Sequence, residues 1–124
     1  GRVYFVQTFL EDADLTIICV SDKSKNTDYT KEVIGESVIN DVKDNIIIHS
    51  TIFFYPTISS CGYFPFVELH EILHSLGFSH SQKISSVMYN NTDNCKWIYE
   101  NKDIYGPPRI DDDIVKELKE IYYK

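Results

Sequence analysis

The residues best suited to chemistry are three histidines and a glutamate in the stretch 70–80, which reads HEILHSLGFSH. His70 and His74 are four residues apart, so on a helix their rings project from one face and can reach one ion. Gly77 is suited to ending that helix, because glycine takes the left-handed conformation without strain. The chain beyond it can then bring His80 to the same ion. The spacing therefore predicts a metal site with three imidazole ligands.

Three neutral imidazoles leave a fourth position on a zinc ion open for water, which is the pattern of a catalytic zinc site. Zinc lowers the pKa of its bound water to about 7. Glu71, next to the first ligand, can take the proton from this water and pass it to a leaving amine. We therefore expect Glu71 to be the catalytic base. The alternative reading, ordinary helix histidines before a capping glycine, explains less, because three of the four histidines lie in this stretch.

Segments on both sides of this stretch must position it. Residues 66–76 have helical spacing, with their apolar side chains mostly on one side. Ile114, Val115, Leu118 and Ile121 recur at helical positions near the end of the chain. Three aspartates, 111–113, precede that second helix, where caps and negative charge are favoured. Residues 81–110 between the helices are expected to be irregular.

Four earlier segments have the composition of β-strands: 3–9, 13–20, 32–39 and 46–54. Segment 13–20 is apolar on both faces towards its end, which predicts a strand in the sheet core with Cys19 as a small buried residue. Segment 32–39 is expected to be a short edge strand, because Gly35 weakens its interior.

Length and composition limit the classes of protein. A chain of 124 residues fits one domain. Its formal charge is −7 with scattered basic residues, which argues against nucleic-acid binding. No segment approaches the ~20 apolar residues of a membrane span. We expect a monomer.

Cys61 and Cys95 could pair if the protein is exported, and the odd cysteine count leaves this open.

The stretch 70–80 resembles the HExxHxxGxxH signature of the metzincin zinc peptidases. Met88, in the run SerSerValMetTyr (85–89), resembles the Met-turn of that group, where the methionine packs beneath the zinc. Taken alone, Met88 would equally suit a hydrophobic core.

Within the metzincins, the matrixin branch is the most similar. Ser81 directly after the third histidine matches its pattern, as does the short route to Met88. The run AlaAspLeuThrIleIle (13–18) resembles the strand that opens the matrixin sheet core. Residues 112–114 and 121–122 resemble the end of the matrixin C-terminal helix. The resemblance covers most of the chain.

The resemblance implies an α/β (α+β) fold of the metzincin-like zincin type, with a small twisted mixed sheet packed on an active-site helix. A small C-terminal subdomain would end in a helix. Residues 1–124 would be one catalytic domain, with 1–80 as the upper and 81–124 as the lower subdomain. The implied activity is that of a zinc-dependent endopeptidase with one catalytic zinc ion and a polypeptide substrate, and the family resemblance favours an extracellular location.

Further roles follow from the resemblance alone. Residues 33–39 would pair with an extended peptide substrate. Phe66 would shape the floor of the S1′ pocket, although core packing explains it about as well. Asp112 or Asp113 would bind an N-terminal ammonium, against the simpler role of capping the helix. Only His49 remains for a second zinc, so we expect none, and no calcium loops are evident.

Two other functions stay open. A zinc-binding interaction module of the same fold would have lost catalysis, although the presence of Glu71 argues against this. A peptidase with a glutamate as its third metal ligand would use one of three downstream residues, Glu100, Glu117 or Glu120. Matrixins usually carry a first strand and a long backing helix before the part that this chain resembles, which leaves the sheet topology open.

Overall fold

The computed structural model describes residues 6–8, 12–20, 35–55, 66–90, 103–104 and 109–122. We name the main elements of these residues β1 (Leu15–Cys19), β2 (Gly35–Lys43), β3 (Ile46–Phe54), α1 (Phe66–Ser75) and α2 (Asp112–Tyr122). The small mixed α/β fold predicted from the sequence is confirmed. The strand predicted for 3–9 falls mostly outside the described residues, and residues 6–8 are not in a strand.

The three strands form a mixed sheet in the order β1-β3-β2. Strand β3 is central, parallel to β1 and antiparallel to β2. Within the described sheet, β2 is therefore an edge strand, as expected. It continues to Lys43, four residues beyond the predicted end, and an irregularity between Ile39 and Val42 shifts its register against β3.

A two-residue turn, Asp44 and Asn45, joins β2 to β3. Both residues have positive φ, at 51° and 63°. Positive φ at both central positions is the signature of the type I′ hairpin turn, whose twist matches that of the flanking strands, and Asp and Asn tolerate it. The hairpin was not predicted from the sequence, because the strong signals for such a turn contain glycine and this turn has Asp and Asn instead.

Helix α1 lies against β2 and β3 and has apolar partners on two sides. One buried cluster joins Ile52 and Phe54 of β3 to Val67 of the helix. A second joins Leu73 of the helix to Val87, Met88 and Ile114. Packing on both sides holds the orientation of α1, and with it the direction of every side chain that α1 carries.

The prediction that segment 13–20 lies in the sheet core, with Cys19 buried, was wrong for the end of the strand. Cys19 is exposed, and Ile17 and Ile18 are 52% and 40% exposed. The physical reason is position, because β1 is an edge of the described sheet and α1 packs mainly on the other two strands. Cys61 and Cys95 lie outside the described residues.

Helix α2 is amphipathic, as its sequence pattern predicts. Ile114 is buried and Leu118 packs against the second cluster, whereas Ile121 is 51% exposed. Among the described helices, none combines the length and the apolar character needed to cross a bilayer.

Candidate metal centre

The C-terminal end of α1 adopts a Schellman turn. The Phe78 amide donates to the Leu73 carbonyl at 3.0 Å, and the Gly77 amide donates to the His74 carbonyl at 2.9 Å. These two bonds define the motif, in which the residue after the helix cap takes the left-handed conformation. Gly77 has a φ of +96°. The helix therefore ends where the sequence predicted, and the chain reverses towards His80.

Replacing Gly77 with Ala is expected to disturb both the fold and the metal site. Alanine would have to adopt a backbone with positive φ, which should lower the unfolding free energy by about 1–2 kcal/mol. Its Cβ would also lie 3.3 Å from Cδ1 of Ile47. We expect a lower Tm and weaker zinc binding, measured by thermal unfolding and chelator competition. Ser79→Ala, at an exposed position nearby, is the control. Unchanged Tm and zinc binding would contradict the argument.

The turn brings the three predicted histidines together. Nε2 of His74 lies 3.0 Å from Nε2 of His70 and 3.1 Å from Nε2 of His80. One nitrogen from each of the three rings lies within 4.8 Å of the other two. The cluster is graded in exposure, with His70 buried, His74 half-buried and His80 exposed. An ion held here would be enclosed on the side of His70 and open towards solvent on the side of His80.

Backbone carbonyls define the tautomer of two of these rings. Nδ1 of His70 donates to the Val87 carbonyl at 2.7 Å. Nδ1 of His74 donates to the Phe78 carbonyl, also at 2.7 Å. A neutral imidazole that donates from Nδ1 carries a lone pair on Nε2. The short distance between the two Nε2 atoms is therefore not a hydrogen bond, because both would be acceptors. A cation between the two nitrogens would satisfy both lone pairs.

Burial favours the neutral form of His70. It lowers the pKa of this side chain to about 4, against 6.5 for an exposed histidine. The hydrogen bond to Val87 partly opposes this shift, while the neighbouring rings of His74 and His80 add to it. At neutral pH the His70 lone pair is thus free of a proton and available to a metal.

The spacing of the nitrogens suits zinc. Zn–N bonds of about 2.0–2.1 Å in tetrahedral geometry place two ligand nitrogens about 3.3 Å apart. The observed separations of 3.0 and 3.1 Å are a few tenths of an ångström shorter. Small rotations of the rings would accommodate the ion. A set of three imidazole nitrogens also favours zinc over calcium or magnesium, which prefer oxygen ligands.

Glu71, the predicted base, follows the first histidine on α1 and is 4% exposed. Its side chain packs against β2 at Gly35, where an added Cβ would lie 2.9 Å from the Glu71 Cγ. The contact with Gly35 was not foreseen, because it joins residues of two distant segments.

The segment after His80 supports His70 through a hydrogen-bonded turn. Ser86 is fully buried, and its Oγ donates to Oδ2 of Asp111 at 2.7 Å. The same Oγ accepts the Met88 amide at 3.0 Å. The turn is fixed on both sides of Val87, whose carbonyl receives the His70 Nδ1–H. Sequence reasoning missed this support, since Ser86 and Asp111 are 25 positions apart.

Replacing Ser86 with Ala tests this support. The Asp111 carboxylate and the Met88 amide would each lose a partner, which should cost about 1–3 kcal/mol of unfolding free energy. If the turn orients His70, zinc affinity should also fall by roughly 10-fold, as is typical when a group that orients a metal ligand is removed. Ser85→Ala, next to it but exposed, is the control. Equal zinc affinities of the two variants in chelator competition would remove Ser86 from the site.

Two aspartates at the start of α2 interact with Lys83. Its Nζ lies 3.2 Å from Oδ2 of Asp113 and 3.9 Å from Oδ1 of Asp111. The hydrogen bond to Asp113 is the main reason that the pKa of Lys83 is raised. Asp111 precedes the helix, and its carbonyl accepts the Val115 amide, which is the N-cap position. The binding of an N-terminal ammonium by Asp112 or Asp113 stays a prediction.

The other predicted residues are placed as follows. Met88 is fully buried in the second cluster, and Phe66 is half-buried against that cluster. His49 is away from the metal cluster, with its Nε2 3.2 Å from Oγ1 of Thr16. The glutamates proposed as an alternative third ligand do not join the cluster where they are described: Glu117 and Glu120 are exposed on α2, and Glu100 lies outside the described residues.

An open groove of about 360 Å³ borders the histidine cluster. It runs between β2 and the turn after α1, and it is lined by Ser37, Ile39, His74, Gly77, Phe78, Ser79 and His80. Its volume lies within the range of pockets that take small ligands or side chains. The described groove thus gives access to the open side of the histidine cluster.

Comparison with known proteins places the chain in a family. The matrixin family model matches residues 3–122, nearly the whole chain. Searches among curated proteins and among solved structures found no significant match. The match includes the sheet, both helices and the three clustered histidines. The chain therefore belongs to the matrixins, a metzincin family of zinc metallopeptidases.

Proposed function

We propose that this matrixin is an active zinc-dependent endopeptidase. The observation that carries the proposal is the convergence of three Nε2 atoms, two of them on rings whose Nδ1 donates to a backbone carbonyl. The residue that follows His70 in α1 is Glu71, whose side chain is buried. Such an arrangement combines a metal site with a proton acceptor. The rest of the proposal assigns a role to each part.

His70, His74 and His80 would hold one zinc ion. When bound there, zinc lowers the pKa of a coordinated water and polarises the carbonyl of the substrate. By accepting the Nδ1 protons, the Val87 and Phe78 carbonyls would leave the Nε2 lone pairs of His70 and His74 available to hold such an ion. Met88 would be the Met-turn residue, a packing support for the ligands, in keeping with its complete burial.

Glu71 would act as general base and then as general acid. Its carboxylate takes a proton from the attacking water and donates it to the nitrogen of the leaving amine. The gain from such a group is typically 10²–10⁴-fold in rate. Burial between α1 and β2 keeps the carboxylate in one place, which such a transfer requires.

The substrate would be an extended polypeptide aligned with β2. This strand is an edge of the described sheet, and such an edge can accept a further strand by backbone hydrogen bonds. Ser37 and Ile39 of β2 line the same groove as His74 and His80. A peptide along this edge would therefore pass the open side of the histidine cluster. Phe66, at the start of α1, is the proposed S1′ residue.

Residues 1–124 would work as one catalytic domain and as a monomer. The upper part, 1–80, would carry the three histidines, and the lower part, 81–124, would supply the Val87 carbonyl that accepts from His70. No residue of a second copy is needed to complete the proposed ligand set. Size-exclusion chromatography with light scattering tests the monomer, and an active dimer that loses activity on dilution would contradict it.

The decisive experiment combines a metal assay with cleavage of a peptide library. We expect about one zinc ion per chain. Removing zinc with 1,10-phenanthroline should stop cleavage, and added zinc should restore it. A protein that holds zinc yet cuts no peptide would instead be an inactive zinc-binding module. A protein that holds no zinc would contradict both readings.

A further inference from the structure

Gly35 is the residue of β2 that faces Glu71. It is buried, and it pairs with Phe54 in the register of β2 with β3. Glycine inside a strand is usually unfavourable, since it adds backbone entropy to the unfolded chain and packs no side chain. A left-handed backbone does not explain it, because Gly77 is the glycine with positive φ in the described part of the chain. The explanation must therefore lie in the space around it.

That space is filled from α1. A Cβ on Gly35 would lie 2.9 Å from Cγ of Glu71 and 3.2 Å from its Oε1. It would also lie 3.1 Å from Cγ1 of Val67. Val67 and Glu71 are four residues apart and so project from one face of the helix. Two side chains from α1 thus rest on the bare backbone of β2, and the closer contact is with the carboxylate-bearing residue.

We propose that Gly35 is a positioning residue for Glu71, because its lack of a side chain lets the glutamate lie against β2 in the direction that proton transfer requires. This inference rests on the proposed function and extends it to a residue outside the metal motif. A methyl group at Gly35 would displace the Glu71 side chain or separate α1 from β2. A displacement of about 1 Å in a catalytic group can cost on the order of 10²-fold in rate.

The alternative is that Gly35 only allows the helix to pack on the strand, through Val67. The two cases differ in which second substitution makes room for a methyl group at position 35. If Val67 is the obstacle, Val67→Ala should accommodate alanine at position 35. If Glu71 is the obstacle, only a shorter side chain at position 71 should do so.

The first experiment measures catalysis by zinc-loaded Gly35→Ala, Val67→Ala and the double variant. We expect Gly35→Ala to keep zinc and a KM within about two-fold of the wild type, while kcat falls by roughly 10- to 100-fold. Val67→Ala should not restore kcat when combined with Gly35→Ala. An unchanged kcat in Gly35→Ala, or recovery of kcat in the double variant, would overturn the inference.

The second experiment needs no activity. Gly35→Ala is introduced into the zinc-loaded wild type and into the zinc-loaded Glu71→Ala variant, and Tm is measured for all four proteins. We expect a fall of roughly 4 °C or more when Glu71 is present and a clearly smaller fall in the Glu71→Ala background, because the added methyl group there meets Val67 but no longer the longer Glu71 side chain. Equal falls would overturn the inference. If Gly35→Ala does not fold, folding of the Gly35→Ala/Glu71→Ala protein supports the contact, and failure of both overturns it.

These arms separate the two proposals. A wild-type protein that cleaves no peptide defeats the proposed function, and it does so before any variant is compared. An active wild type whose Gly35→Ala variant keeps its full kcat defeats only the role of Gly35.

Discussion

Replacing Glu71 with Gln is expected to reduce kcat/KM for peptide cleavage by about 10²–10⁴-fold, the usual contribution of a general acid–base group. Gln keeps the size of the side chain and its packing against Gly35, but it cannot accept the proton of the attacking water. Zinc content should stay at the wild-type level, because the three imidazoles are unchanged. Steady-state kinetics and a metal assay on the same preparation measure both quantities.

Glu68→Gln is the matched control. Glu68 lies one turn earlier in α1, carries the same charge and is half-buried. Its replacement should leave kcat/KM within a few-fold of the wild type. Comparable losses in both variants would indicate a general electrostatic effect of the helix, and full activity of Glu71→Gln would exclude Glu71 as the base.

Replacing His80 with Ala is expected to weaken zinc binding by roughly 100-fold or more, since loss of a group that merely orients a ligand already costs 10–100-fold. The remaining rings would hold the ion with two protein bonds in place of three. At a zinc concentration that saturates the wild type, the variant should also lose most of the zinc-dependent gain in Tm. Competition with a chelator and thermal unfolding with and without zinc measure these effects.

His49→Ala is the corresponding control, because His49 contacts Thr16 and lies apart from the cluster. Its zinc affinity should match that of the wild type. If His80→Ala bound zinc as tightly as His49→Ala does, the third ligand would be another residue. The assignment of HExxHxxGxxH as the ligand set would then fail.

The local elements of this protein could be predicted where one segment carries the whole signal. The spacing of Val67, Leu69 and Leu73 indicates helix α1, and Gly77 indicates its end. Strand β3 was predicted with its observed bounds, because 46–54 is rich in β-branched and aromatic residues. The hairpin turn at Asp44 and Asn45 was not predicted, although both residue types tolerate positive φ.

Contacts between distant segments could not be predicted. The exposure of Cys19 depends on which strands α1 covers. The residues of segment 13–20 do not indicate which strands those are. Likewise, Ser86 meets Asp111 only because α2 packs beside the turn that precedes Met88. A single sequence contains the residues of such pairs without indicating that they meet.

By itself, the sequence predicted which three histidines cluster, their order along the chain and the family. These depend on residue types and on spacing within one helix and its terminal turn, where the geometry of the α-helix and of glycine leaves few alternatives. Tertiary structure alone decided which carbonyls orient His70 and His74, how deeply each ring is buried and which strand Glu71 rests against. These features come from packing between layers, where each side chain's surroundings are supplied by segments far away in the chain.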